Sequence, residues 1–178
     1  MSQPRAPASP KLLVRFLFRD FDVQMEALDA LEAHFGPVDF LSSPGPFPYT
    51  TYYDEEMGKG IRRQSASYLE LVPPDSLPDI KIRTNEVEKK LSRGGKRLVN
   101  IDPGFISEER FILATGKNFT HRIYLRDGIY ADLTLIYQKG AYRPLPWTYP
   151  DYQEPDFLHS LSVLRRKLRF QRDGILPR

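Results

Sequence analysis

Between His121 and Gln138 the chain reads HRIYLRDGIYADLTLIYQ, and no other stretch limits the possible folds so tightly. β-Branched and aromatic residues crowd both sides of Arg126-Asp127-Gly128, so a β-hairpin is predicted. Loop length then sets the register. A two-residue Asp127-Gly128 loop would oppose Ile123 to Asp132 and Arg122 to Leu133, placing charge against aliphatic twice. A three-residue loop with Gly128 left-handed pairs Leu125 with Ile129, Ile123 with Ala131 and His121 with Leu133. The other face then carries Tyr124 beside Tyr130 and Arg122 beside Asp132. This second register separates apolar from polar and is the one expected, because a one-residue slip would flip every side chain. It turns the aliphatics inward and leaves Arg122–Asp132 outside, where an ordinary cross-strand ion pair contributes roughly 0.2–1 kcal/mol.

The rest of the chain reads as follows. Lys11–Arg19 is an apolar run predicted to be a buried strand, and Asp20 or Asp22 caps a helix that Gly36-Pro37 ends. Val38–Leu41 is a short strand leading into a loop. That loop carries Phe47, Tyr49, Tyr52 and Tyr53, then Asp54-Glu55-Glu56; loops built on rings and charge often face a ligand. The three carboxylates match no known cation-binding spacing, so no metal site is predicted. Ser65–Val72 is a third strand. Leu77, Ile80, Thr84, Val87 and Leu91 then recur at helical spacing, predicting one helix over Leu77–Ser92 in preference to a strand at Ile80–Arg83. Lys96–Ile101 is a fourth strand, ended by a turn at Asp102-Pro103-Gly104, with Asn100 and Asp102 pointing the same way. Arg110–Thr115 is a fifth. The prolines between residues 144 and 150 favour an extended path for LPWTYPDY, and Phe157, Leu161, Leu164 and Leu168 mark an amphipathic helix.

Composition bounds function. In 178 residues, 40% hydrophobic content supports a core, and the absence of any long apolar run argues against a membrane span. MSQPRAPASP lacks the apolar segment of a secretory signal. Zero cysteines excludes disulfides, thiolate metal sites and cysteine nucleophiles, and fits a cytoplasmic setting. Residues 1–153 balance 20 basic against 20 acidic groups, so the excess of +3 belongs to residues 154–178 and a broad nucleic-acid surface is not expected.

The expected organisation is a mobile leader at 1–10, a single α+β domain over 11–153, and an amphipathic basic helix and tail over 154–178. The domain is expected to have a mixed or antiparallel sheet with helices on one side. A ferredoxin-like βαββαβ core fits the element order, with the hairpin and C-terminal helix added. In combination, FGPVDF, YY…EMG, TNEVE, VNIDPGFI, HRIYL…GIYADLTL and LPWTYPDY resemble an uncharacterised bacterial domain-of-unknown-function family (serial 4416). The resemblance covers about residues 10–152 and implies a small intracellular protein without an assigned activity, catalytic residue or cofactor.

Three functions compete. The favoured one is a binding protein for an anionic ligand, whether nucleotide, phosphate ester or RNA, using Tyr52, Tyr53, Asn100, Lys117 and Arg122. Ala114-Thr115-Gly116-Lys117 lacks the upstream glycine and following hydroxyl of a phosphate loop, so a Walker-type site is rejected. The second is a phosphate-ester hydrolase or transferase with His121 as acid/base, Asp102 or Asp132 orienting it, and Arg122 stabilising charge. The third is a protein-interaction module built on WTYPDY and the basic helix.

Overall fold

A computed structural model describes residues 1–174; residues 175–178, the end of the expected tail, lie outside the described residues. The chain runs β1 (Lys11–Phe18), α1 (Phe21–Phe35), β2 (Val38–Leu41), β3 (Gly45–Pro46), a single turn α2 (Asp54–Met57), β4 (Arg62–Leu71) and α3 (Leu77–Lys90). It continues through β5 (Val99–Ile106), β6 (Arg110–Thr115), β7 (Arg122–Arg126), β8 (Ile129–Gln138), β9 (Ala141–Pro144), a 3-10 turn (Pro150–Tyr152) and α4 (Pro155–Asp173).

Every residue of β1 is buried. A strand buried on both sides must alternate between two cores, and this one does. Leu12, Val14, Phe16 and Phe18 join Val23, Leu28 and Leu31 of α1 and Leu77, Ile80 and Val87 of α3. Leu13 points the opposite way, into a cluster with Phe111, Leu135 and the Phe157, Leu161, Leu164, Leu168 stripe of α4. The four positions expected to form that stripe are the four buried residues of the helix.

The fold class is α+β, with one antiparallel sheet in the order β2-β4-β1-β5-β6-β8-β7, β3 lying on β4 and β9 on β8. Its first half is the split βαβ arrangement: β4 sits between β2 and β1, β5 flanks β1 on its other side, and α1 and α3 share one face. Local sequence explains the boundaries. Asp20 accepts the Asp22 N–H at 2.9 Å to start α1, and Gly36 at φ 82° stops it. The apolar stripe of α3 is buried, so the one-helix reading holds and the strand at Ile80–Arg83 does not form.

Two expectations need correction. The Asp102-Pro103-Gly104 turn does not exist, because β5 continues through it to Ile106. Proline and glycine serve a sheet here instead. Gly104 lies so near β6 that an added Cβ would sit 2.5 Å from the Ile112 carbonyl oxygen. The hairpin keeps the expected pairing of Arg122 with Asp132, Ile123 with Ala131 and Tyr124 with Tyr130. Its closure differs: Arg126 pairs with Ile129, the register shifts between Tyr124 and Arg126, and both Asp127 (φ 53°) and Gly128 (φ 75°) are left-handed. A two-residue turn plus a bulge thus yields the register of the three-residue loop. Burial differs from expectation as well. Ile129 reaches the first core, but β7 is the edge strand, so Ile123 (68% exposed), Tyr124 and Leu125 face solvent, whereas Asp132 is buried.

The contact at Gly104 gives a direct test. Gly104→Ala is expected to destabilise the protein by about 1–3 kcal/mol, the usual cost of overpacking, read from the midpoint of a urea melt. An unchanged midpoint would mean that β5 and β6 are not this close.

Candidate functional site

The ladder between β5 and β6 is short, joining only Gly104, Phe105 and Ile106 to Leu113, Ile112 and Phe111. The reason lies in the sequence. The Ile101 N–H points away from β1, and by strand alternation position 103 points the same way, toward β6. Residue 103 is proline and has no N–H to give. Beyond Gly104 the two strands part, and α3 serves the free edge of β5. Lys81 Nζ donates to the Ile101 carbonyl at 2.8 Å, and the Ile101 N–H donates to Glu88 Oε1 at 2.6 Å. Two side chains therefore replace a strand.

A cleft of about 840 Å³ opens at this parting. Asn100 and Asp102 of β5 line it opposite Leu113–Lys117, and Arg15 and Leu17 of β1 line it with Lys81, Asn85 and Glu88 of α3. Two aromatic straps cover it, Phe47–Tyr53 from one side and Tyr149–Tyr152 from the other. The first strap is fixed by Phe47 and Tyr53 packing on Leu17, Met57 and Ile61, and by Tyr49 and Arg63, both bonded to Glu154. Tyr52 stays exposed, edge-on to Tyr53 with centroids 5.0 Å apart.

Tyr52, Tyr53, Asn100, Asp102, Lys117, Arg122 and Asp132, all expected from sequence, line this one cleft. His121 does not. It precedes β7 and does not sit opposite Leu133 on an apolar face; its ring stacks on Trp147 (4.8 Å, 10°) and Nε2 lies 3.2 Å from Asp132 Oδ2. Arg122 Nε donates to the same oxygen at 2.8 Å. The Arg122–Asp132 pair, expected on a solvated face, is thus almost enclosed, with about a tenth of each side chain exposed. At the rim, Lys117 Nζ sits 5.2 Å from the Tyr52 ring centroid, and Arg122 Nη2 approaches the Tyr149 hydroxyl at 3.5 Å.

Deeper in, the charges form a network. Asn100 Nδ2 donates to Asp102 Oδ2 at 2.7 Å, as their shared direction suggested, and Lys81 Nζ lies 3.5 Å from Asp102 Oδ1. Arg97 grips Glu56 with two parallel bonds of 2.9 and 2.7 Å and also donates to Asn100 Oδ1. That grip holds the Glu56 carboxyl below the ordinary carboxylate range. Burial pushes Glu88 and Asp151 the other way, above theirs, and also raises the Tyr53 hydroxyl. The cleft therefore holds two carboxyl groups that keep a proton more readily than usual.

A family profile described as "Domain of unknown function (DUF4416)" matches residues 8–168. The chain belongs to the DUF4416 family. No curated protein and no solved structure gives a significant match.

Arg15, Lys81, Glu88, Arg97 and Asp151 of this DUF4416 domain escaped the sequence reading. A signal for three of them was present. Arg15 interrupts an apolar strand on the face shared with Leu13 and Leu17, and Lys81 and Glu88 fall within the apolar stripe of α3. The basic residues of the amphipathic C-terminal helix are largely engaged. Arg165, Arg169 and Arg172 all reach Glu108, and Lys167 pairs with Asp39 at 2.7 Å. No described helix is long and apolar enough to cross a membrane.

The raised pKa of Glu88 has a consequence for stability. Its contribution is fully present below the ordinary value of 4.5 and is lost as pH rises through the raised value. Glu88→Gln retains an acceptor for Ile101 without a charge. Relative to the parent, this variant is expected to gain stability as pH rises across that window, measured by urea melts at a series of pH values. A difference that stays flat with pH would contradict the buried placement.

Proposed function

We propose that the cleft binds a small anionic ligand of nucleotide or phosphate-ester size. Its volume of about 840 Å³ lies within the roughly 300–1,000 Å³ usual for small-molecule sites. One observation carries the reading: Arg15, Lys81, Arg97, Lys117 and Arg122, drawn from five separate parts of the chain, converge on one concavity beside Tyr52, Tyr53 and Tyr149. Such a set supplies charge-assisted hydrogen bonds to an oxyanion and flat rings for a planar group. Among the described residues the Lys117 ammonium meets the Tyr52 hydroxyl and ring and no carboxylate, so its charge is available to a ligand.

The competing readings draw less support. An RNA strand would need the basic face of α4, which is spent on Glu108 and Asp39. A hydrolase or transferase working through His121 would need that ring in the cleft, whereas it is held between Trp147 and Phe119 with Nε2 on Asp132. A partner-binding role for WTYPDY fits poorly with Asp151 and Tyr152 being buried and with Trp147 Nε1 donating to the Leu133 carbonyl at 2.8 Å. A cysteine-free protein handling nucleotides or phosphate esters belongs most naturally in the cytoplasm.

A thermal-shift screen against nucleoside monophosphates, sugar phosphates and inorganic phosphate tests the proposal. At least one of these is expected to raise the melting temperature in a concentration-dependent way. Lys117→Ala is expected to weaken that ligand about tenfold, equivalent to ~1.4 kcal/mol, without altering the melting temperature of the free protein. No shift with any anion at millimolar concentration would defeat the reading.

A further inference from the structure

Two buried cations lie four residues apart on the same face of β1, and their surroundings differ. Lys11 is fully satisfied, donating to Asp39 at 2.6 Å, to the Tyr68 carbonyl at 2.7 Å and to Gln171 Oε1 at 3.0 Å. Arg15 is 4% exposed, yet among the described residues its one ionic contact is Nη2 to Asp151 Oδ2 at a long 3.4 Å. Its Nε and Nη1 are buried and have no hydrogen-bond partner among the described residues. The guanidinium carbon sits 4.6 Å from the Tyr152 ring centroid and 4.8 Å from that of Phe157, so the side chain is wedged between rings. Leaving the donors of a buried charge unmade is costly, and Lys11 shows how this sheet satisfies a buried cation outside the cleft. Arg15 and Asp151 both line the cleft.

We infer that Arg15 and Asp151 form an exchangeable pair at the inner end of the cleft: a ligand oxyanion takes the place of the Asp151 carboxylate on the Arg15 guanidinium, and the displaced carboxyl takes a proton from solvent. This rests on the anion-binding reading of the cleft and adds where the anion is read and what its arrival does. The exchange breaks one long ionic contact and fills the donors that Arg15 holds unmade. Asp151 is suited to the exchange by its neighbours. Arg15 is the cation that faces it, Asp102 and Glu154 add negative charge nearby, Tyr152 and Tyr53 supply low-dielectric walls, and burial already favours its neutral form. Asp151 is thus a placeholder for the ligand, and its protonation state sets the affinity.

Sulfate is the suitable probe, because it does not titrate near neutral pH and any proton taken up belongs to the protein. Calorimetric titration of the full chain in buffers of different ionisation enthalpy is expected to show net proton uptake with sulfate binding, and affinity rising as pH falls toward the Asp151 pKa. Asp151→Asn is expected to bind sulfate more tightly at neutral pH and to lose that pH dependence. Arg15→Lys keeps the charge but not the planar donors and is expected to lose tenfold or more in affinity. If the folded protein binds no sulfate or phosphate at any pH, both the cleft reading and this inference fall. If sulfate binds without proton uptake, or with the same pH slope in Asp151→Asn, only the exchange is overturned. If Lys117→Ala abolishes binding while Arg15→Lys does not, the anion sits at the rim and Arg15 is not its receptor.

Discussion

The backbone of a single residue, Ile101, determines how this sheet is built. Its carbonyl and N–H would ordinarily pair with the next strand; here they are bonded by Lys81 and Glu88 of α3. A peptide left unbonded at this depth would cost roughly 1–3 kcal/mol for each unsatisfied group. Once side chains take that role, β6 is free to diverge above Gly104, and a cleft can penetrate the middle of an otherwise continuous sheet. Pro103 prevents the ladder from closing, Gly104 lets the strands touch just below the parting, and Asp102 beside Lys81 balances the charge brought in to cap the edge.

The cleft stays open because its walls are held by independent anchors. Arg97 locks the α2 turn to the start of β5 through Glu56, and this places Tyr53 over the opening. Glu154 holds the first strap through Tyr49 and Arg63 at the point where the second strap enters α4. On the far side of the molecule, Glu108 gathers three arginines of α4 and fixes that helix over the second core. Much of the basicity of the chain is therefore consumed in joining elements. Two of the cleft cations stand apart by what they lack among the described residues, which for Arg15 is hydrogen-bond partners at Nε and Nη1 and for Lys117 any carboxylate.

Periodicity made most of the fold legible in the sequence. The apolar run of β1, the stripe of α4 and the spacing along α3 each report burial directly, and the segregation of polar from apolar residues gives the pairing of Arg122 with Asp132. Where reading failed, local chemistry was ambiguous. Asp-Pro-Gly is turn chemistry in isolation, and only the nearness of Ile112 and α3 makes it a strand with a deliberate break. How far the hairpin is buried depends on which elements reach it, and that is a tertiary matter. The site residues found early were polar groups beside turns. Those missed, Arg15, Lys81 and Glu88, sat inside apolar patterns, where a single charge reads as noise until its partners are known.

Side chains of α3, and not a neighbouring strand, hold the free edge of β5. Hydrogen exchange at the Ile101 amide measures this most directly. Ile101 N–H is expected to be protected like the core strands, and Glu88→Ala to convert it to fast exchange while Phe105 N–H, inside the short ladder with β6, stays protected. Equal protection of Ile101 in the parent and in Glu88→Ala would contradict it, because the amide would then be bonded by something other than the helix.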